Sequence, residues 1–147
     1  MYRHILIPTD GSALAAKGVD AGLTLAKECG ARVTLLTAVP RYRPLNEDEA
    51  RTGEYIPARE HHRRSQVRAD RVLAAPVALA RAAGVDCDAL YLENDRPYQA
   101  ILDAAELRKC DLIVMSSHGR SGLAALWHGS QTRDVLTRSR IPTLVYR

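Results

Sequence analysis

The chain has 147 residues, of which 46% are hydrophobic and 26% are charged, and its formal net charge is +4. This length and composition predict one soluble globular domain that builds its core without disulfides or a structural metal. No apolar run is long enough to span a membrane, and the apolar start of the chain is too short for a signal peptide. The three cysteines, Cys29, Cys87 and Cys110, are isolated in sequence, which favours reduced thiols in the cytoplasm over a disulfide framework or a zinc site.

The clearest basic cluster lies between residues 59 and 71, where five arginines occur. Such a cluster can meet the phosphates of a nucleic acid, but no aromatic side chains are interleaved with it and no DNA- or RNA-binding motif is present. A solvated helix face is the favoured interpretation, so nucleic acid is not an expected partner.

Apolar periodicity predicts five strands that alternate with four helices. The predicted strands are 4–9, 33–39, 87–93, 112–115 and 141–146, and the predicted helices are 13–29, 59–83, 97–108 and 131–138. Pro76 is expected to kink the second helix or to split it in two. The segment 41–57 is expected to be irregular and mobile, and the third strand to lie nearer the edge of the sheet.

Alternating strands and helices predict an α/β fold with a parallel, doubly wound sheet and helices on both faces. In such sheets a ligand binds beyond the carboxyl ends of the strands, where the strand order reverses. The ends of the first strand at 9–10 and of the fourth strand at 115–116 are the candidates to flank that crevice.

The stretch 112–138 is the candidate functional region. A buried strand leads into a loop with Gly119, Gly122 and Gly129, and a helix begins after it at Ser130. Glycines let a backbone approach an anion closely, and the first amides of a helix have no intrahelical partner. This order of strand, glycine-bearing loop and helix predicts a phosphate site.

The chain resembles the universal stress protein family over nearly its full length. The resemblance rests on the segments ILIPTDGS at 5–12, DLIVM at 111–115 and IPTLV at 141–145, and on the long connection after the second strand. The loop is similar to the family's ATP-binding pattern Gly-x2-Gly-x9-Gly-Ser/Thr, which falls here on Ser116, Gly119, Gly129 and Ser130. Ser116 replaces the first glycine, and its hydroxymethyl group would either donate a hydrogen bond to the ligand or crowd it.

The resemblance implies a Rossmann-like sheet of order 3-2-1-4-5 and an adenine nucleotide as ligand: ATP, with AMP or ADP as alternatives. Adenine would lie near Asp10, Ala38 and Val39, and ribose near Ser116. Phosphates would lie along Gly119, Gly129, Ser130 and Gln131, with Mg or Mn held mainly by the phosphates and by water. The other expected contacts are Pro8, Thr9, Met115, His118, Arg120, Gly122, His128 and Thr132.

Some of these residues have a second interpretation. Asp10 or Ser12 can cap the first helix, and Ser130 can cap the last, and both roles are compatible with binding a ligand. Among the loop residues, His118 is expected to form structural hydrogen bonds, and Gly122 to serve as a turn residue. His128 would face the phosphates or solvent, and Arg120 can reach a γ-phosphate.

A phosphoryl-transfer enzyme needs a metal-holding carboxylate, a positioned nucleophile or base, and a charge clamp. No Asp or Glu lies between Asp111 and Asp134, and there is no Walker lysine. We therefore expect a nucleotide-dependent regulatory module of the stress response that a protein partner reads, with at most slow ATP hydrolysis or autophosphorylation. The alternative is a stress-induced dimer that acts through protein contacts and binds no nucleotide. A homodimer through Leu144, Val145 and Tyr146 of the last strand is expected, because an uncovered apolar edge invites pairing.

Overall fold

The computed structural model describes residues 1–53, 55–117 and 129–147. The strands are β1 (His4–Pro8), β2 (Arg32–Val39), β3 (Cys87–Glu93), β4 (Leu112–Ser116) and β5 (Thr143–Tyr146), and the helices are α1 (Ala13–Cys29), α2 (Glu47–Thr52), α3 (Ala58–Ala83), α4 (Pro97–Leu107) and α5 (Gly129–Arg138). The strands form one sheet in the order β3-β2-β1-β4-β5, and all neighbouring pairs are parallel. The predicted α/β fold and the strand order implied by the family resemblance are both confirmed.

The central strands supply two separate cores, because successive side chains of a strand point to opposite faces of the sheet. Ile5 and Ile7 of β1 pack with α1 and α3, whereas Leu6 between them packs with α4 and α5. The same alternation in β4 sends Val114 to the first core and Ile113 to the second. Helices therefore cover both faces, as a parallel sheet requires. In the described part of the chain, no helix is long and apolar enough to cross a membrane.

Two glycines let α1 lie unusually close to the sheet. A Cβ atom on Gly22 would lie 2.5 Å from Cδ1 of Ile7, and one on Gly18 would lie 2.9 Å from the backbone N of Ser116. Close-packed interiors leave no room for either added methyl group without movement of a neighbour. The seating of α1 on β1 and β4 therefore depends on these two glycines.

Pro76 does not divide α3, which runs as one helix of 26 residues. Of the two predicted outcomes, a kink or a split, the split is wrong, and the reason is tertiary packing. Pro76 is itself buried, and Leu73 and Ala80 on either side of it pack into the core beneath α1 and α3. Burial of these residues offsets the backbone hydrogen bond that a proline cannot donate.

The connection from β2 to α3 contains a helix that was not predicted. Asn46 and Glu49 form a capping box at the start of α2, with side-chain bonds to each other's backbone N–H of 2.8 and 3.2 Å. Tyr42 also donates its hydroxyl to the carbonyl of Ile56 (3.1 Å). The prediction of irregular structure is therefore wrong for Glu47–Thr52, and the Asn-x-x-Glu spacing was the signal that would have identified it.

His4 is a buried titratable side chain at the amino end of the sheet and is 5% exposed. The hydroxyl of Thr34 donates to Oδ1 of Asp88 (2.5 Å), so the bond between Thr34 and Nε2 of His4 (2.8 Å) must be donated by the histidine. Nδ1 then carries no proton, and it is buried without a hydrogen-bond partner among the described residues. Burial, followed by the nearby Arg32, lowers the pKa of His4.

We expect the protein to lose stability as the pH falls below the ordinary histidine pKa of 6.5, because unfolded His4 then binds a proton that the folded side chain resists. The stabilising contribution is complete above that pH and is lost as the pH falls toward the lower folded-state pKa. Urea unfolding from about pH 7.5 to about pH 5 measures this. His4→Gln should flatten the decline, whereas replacement of the exposed His62 by glutamine should not. An unchanged slope in the His4 variant would contradict the assignment.

Candidate functional site

A cleft of about 140 Å³ opens at the carboxyl ends of β1, β2 and β3. Asp10 follows β1, and Ala38 and Val39 end β2, so three residues predicted to lie near adenine line the same cleft. The rest of the wall comes from β2 and the residue after it, from α3, and from the segment that connects β3 to the start of α4: Thr37, Pro40, Arg68, Ala69, Val72, Asn94, Asp95 and Pro97. This is the end of the sheet where open α/β proteins bind their ligands.

The turn after β1 fixes the carboxylate of Asp10. Its Oδ1 accepts a hydrogen bond from the N–H of Ser12 (2.9 Å), and Oγ of Ser12 in turn accepts one from the N–H of Ala15 (3.1 Å). Ser12, and not Asp10, is therefore the N-cap of α1. The turn is completed by the N–H of Gly11 donating to Oγ1 of Thr9, with Gly11 at a φ of +81° that favours glycine. Within the described residues Oδ2 of Asp10 accepts no hydrogen bond, so it is available to a ligand donor.

Hydrogen bonds also hold the opposite wall in place. The carbonyl of Val39 accepts from the N–H of Asn94 (2.9 Å), and Oδ1 of Asn94 accepts from the N–H of Arg96 (3.0 Å). Oδ1 of Asp95 accepts from the N–H of Arg41 (3.1 Å), which ties the segment after β2 to the segment after β3. The cleft walls are therefore fixed by hydrogen bonds that backbone N–H groups donate to side-chain and backbone oxygens.

Other predicted contacts occupy the core at the strand and helix ends. The buried members of this set are Pro8, Thr9, Met115 and Thr132. None of them lines the cleft. Ser116 is half-buried, and its Cβ and Oγ each lie 3.2 Å from the point where a Cβ on Gly18 would stand. The hydroxymethyl group of Ser116 therefore packs against α1 at Gly18.

The first turn of α5 approaches the cleft through α4. The helix begins at Gly129, just before the predicted start at residues 130–131. Oε1 of Gln131 accepts a hydrogen bond from the N–H of Tyr98 (2.8 Å) in the first turn of α4. The neighbouring Pro97 lines the cleft. Gln131 therefore joins the start of α5 to the wall of the cleft, a role that its expected contact with phosphate did not anticipate.

The glycine-bearing loop lies mostly outside the described residues. The predicted contacts that fall there are His118, Gly119, Arg120, Gly122 and His128. Both ends of the loop are described: the N–H of Ser117 donates to the carbonyl of Tyr146 (3.0 Å), and α5 starts at Gly129. The order of strand, loop and helix therefore holds at both described ends, although the side chain of Ser130 is not among the described groups.

Sequence reasoning missed two parts of the cleft wall. Asn94 and Asp95 follow a parallel strand directly, so the rule that ligands bind at strand ends would have identified them. No comparable sequence signal identifies Arg68 and Val72 of α3 as residues of the cleft wall. The periodicity of a helix predicts which stripe is buried, but it does not reveal which turn of the helix overhangs the strand ends.

Five parallel strands in this order, with a core on each face and a cleft at the carboxyl ends, define a Rossmann-like α/β protein. A family model described as the universal stress protein family matches residues 1–147. The chain therefore belongs to the universal stress protein family, and the resemblance found in its sequence is confirmed.

Individual relatives agree with this assignment. The chain is 33% identical to the universal stress protein in the QAH/OAS sulfhydrylase 3′ region of Thermus aquaticus, over 147 residues and 100% of both chains. It is 32% identical to universal stress protein YxiE of Bacillus subtilis over 152 residues, again covering 100% of both. A solved universal stress protein in complex with cAMP superposes with a TM-score of 0.74 at 25% identity, covering 99% of this chain and 97% of that one.

Proposed function

We propose that the cleft binds an adenine nucleotide, with ATP as the expected ligand, and that the protein acts as a nucleotide-dependent regulatory module of the stress response. The observation that carries this proposal is the convergence of Asp10, Ala38 and Val39 on one cleft, whose wall at Pro97 is joined through the neighbouring Tyr98 to Gln131 of α5. Pockets that enclose a drug-sized ligand measure roughly 300–1,000 Å³. A cleft of about 140 Å³ is therefore suited to one part of a nucleotide, its base, with the remainder extending outward.

The charges favour one orientation of the ligand. Oδ2 of Asp10 suits a hydroxyl or amino donor of the nucleoside, whereas a carboxylate repels phosphate. The phosphates are proposed to extend toward Gly129 and Ser130, because the first amides of α5 have no partner within the helix and its amino end carries partial positive charge. Arg120 and His128 are proposed as further phosphate contacts, and Mg²⁺ or Mn²⁺ would be held mainly by the phosphates themselves.

The comparison with the cAMP complex supports the choice of an adenine ligand. That protein is 25% identical to this chain and the two align over almost their full lengths. A shared fold alone does not assign a function. The cleft residues of this chain carry the proposal, and the relative supports it.

Isothermal titration of nucleotide-stripped protein with ATP and magnesium tests the proposal. We expect saturable binding close to one ATP per chain. Asp10→Asn keeps the acceptor for the N–H of Ser12 but removes the charge, so it should weaken ATP binding roughly 10- to 100-fold, as expected for one charged hydrogen bond. Gly129→Val should abolish binding, because a branched side chain would stand where the phosphate approaches the backbone. Asp20→Asn, an exposed carboxylate of α1, is the matched control and should bind like the unmodified protein.

Absence of binding up to about millimolar ATP would overturn the proposal and favour the alternative, a stress-induced dimer that works through protein contacts alone. Metal-dependent release of ADP that is lost in the Gly129 variant would instead identify slow hydrolysis at the same site. A homodimer through β5 is proposed in both cases, because Leu144 and Tyr146 of that edge strand are 45% and 46% exposed.

A further inference from the structure

Helix α3 presents four arginines around one exposed valine. Arg63, Val67 and Arg71 lie four residues apart and so form one stripe, and Arg64 and Arg68 form the stripe beside it. Together with Val72 they line an open depression of about 630 Å³ on the surface of the protein. We call this surface the arginine face. Val67, at its middle, is 40% exposed.

The positive charge of the arginine face is only partly neutralised. Arg63 and Arg64 both bond to the carboxylate of Glu60, at 2.7 and 2.9 Å, so two guanidinium groups share one anion. Arg68 and Arg71 form no ion pair with any described residue. Solvent-exposed pairs of this kind contribute little to folding stability. The arginine face therefore keeps a surplus of cationic hydrogen-bond donors that the fold itself does not use.

The arginine face is continuous with the proposed nucleotide cleft. Arg68 lines both the depression and the cleft, which Asp10 also lines. Arg71 lines both the depression and a neighbouring hollow that also contains Asp10, and Val72 belongs to all three. A molecule bound on the arginine face therefore reaches residues that a nucleotide in the cleft would also contact.

The chemistry of the face points to an acidic protein segment. Arginine clusters recognise carboxylate-rich motifs through paired N–H donors, and an apolar residue at the centre suits a peptide with one apolar side chain between its carboxylates. A nucleic acid fits less well, because the face carries no aromatic side chain for stacking on a base. From Arg63 to Arg71 it also spans only about 12 Å along the helix, at 1.5 Å per residue.

We propose that the arginine face docks an acidic segment of a partner protein, and that nucleotide in the cleft weakens this docking through Arg68. The coupling half of the proposal rests on the proposed function, whereas the docking half does not. One guanidinium group cannot bond fully to the nucleoside in the cleft and to a peptide carboxylate at the same time. The nucleotide-free protein is therefore the form that holds the partner.

Fluorescence anisotropy with a labelled peptide of glutamates around one central leucine tests docking in the absence of nucleotide. We expect saturable binding that weakens as salt is raised. Arg71→Gln should weaken it roughly fivefold or more, and Val67→Ser should also weaken it, whereas Arg59→Gln removes the same charge from the first turn of α3 and should not. No binding of the peptide, or equal losses of peptide affinity in the Arg59 and Arg71 variants, would contradict the proposed docking surface. If single-stranded DNA binds more tightly than the peptide, and Arg71→Gln weakens that DNA binding, the proposal of an acidic protein as the partner is contradicted.

The same titration at saturating ATP tests the coupling. Peptide affinity should fall roughly fivefold, and Arg68→Gln should remove most of that difference. Equal peptide affinity with and without ATP, in a protein shown by calorimetry to bind ATP, would overturn the coupling and leave the proposed function standing. If calorimetry instead shows no ATP binding, the proposed function and the coupling both fail, while the peptide titration still decides the docking surface.

Discussion

Gly18→Ala should weaken ATP binding roughly tenfold, although the substituted residue lies in a helix and alanine is the better helix former. The new methyl group would lie 2.9 Å from the backbone N of Ser116 and 3.2 Å from its Cβ and Oγ. Either α1 must move off the sheet or the end of β4 must shift, and β4 leads directly into the loop of the proposed phosphate site. Overpacking costs about 1–3 kcal/mol and alanine recovers about 1 kcal/mol, so a net loss of up to about 2 kcal/mol in unfolding free energy is also expected.

A double-mutant cycle separates this effect from general destabilisation. Ser116→Gly alone should bind ATP about as well as the unmodified protein, because the serine side chain lies against α1 and not across the cleft. In the double variant Ser116→Gly should restore part of the affinity and stability lost in Gly18→Ala, since the contacts with Cβ and Oγ disappear while the contact with the backbone N remains. Gly22→Ala is the matched control: its methyl group would meet Cδ1 of Ile7 at 2.5 Å, so stability should fall without a comparable loss of ATP affinity.

The outcome that would contradict this account is a large gain in ATP affinity from Ser116→Gly, combined with no effect from Gly18→Ala. The serine side chain would then obstruct the ligand. Confirmation would mean that the departure from the family pattern at position 116 is accommodated by a glycine on the neighbouring helix. Periodicity alone marks Gly18 as one more small residue of α1, and only the register of α1 on β4 reveals its partner.

How much the sequence could predict depends on the range of the interactions involved. The bounds of α1 and β3 were predicted to the residue, since local signals define them: Ser12 and Gly30 flank α1, and a turn sequence follows β3. The capping box of α2 was equally local and was overlooked. The continuity of α3 through Pro76 was not predictable locally, because burial against the sheet decides it.

The residues of the candidate site also divide into those that local patterns predict and those that long-range packing determines. Asp10 follows β1, and Ala38 and Val39 end β2, so the geometry of parallel sheets together with the family pattern predicted that they lie together, and the three residues line one cleft. Arg68 reaches that cleft from a helix distant in sequence, and Gln131 binds the amino end of α4, 33 residues earlier in the chain. Such contacts depend on how helices sit on the sheet, which no local pattern specifies.

The Leu144→Glu/Tyr146→Glu variant should be a monomer at micromolar concentration, where the unmodified protein is expected to be a dimer. β5 pairs with β4 alone among the described strands, and the carbonyls of Pro142 and Tyr146 accept from β4 and the residue after it. Alternate residues of a parallel strand face opposite neighbours, so the backbone groups of Thr143 and Val145 point to the free edge. Antiparallel pairing of two such edges would join the sheets of both subunits and cover the exposed Leu144 and Tyr146.

The opposite edge of the sheet explains why β5 is the expected interface. β3 carries Asp88, which pairs with Arg108 at 2.9 Å, and Glu93, which lies 2.6 Å from Nδ1 of His62. Charged side chains on an edge strand discourage pairing with another chain. β5 instead exposes a leucine and a tyrosine in a strand of four residues.

Sedimentation velocity across micromolar concentrations measures the oligomeric state of both proteins. Glutamates facing each other across a two-fold axis cost several kcal/mol, so the dissociation constant should rise by at least roughly 100-fold. Leu107→Glu, which changes a leucine 65% exposed at the end of α4, is the matched control and should remain dimeric. ATP affinity should be similar in all three proteins, because the cleft lies at the ends of β1, β2 and β3. An unmodified protein that sediments as a monomer would contradict the homodimer, and a dimer that persists in the double variant would place the interface on another surface.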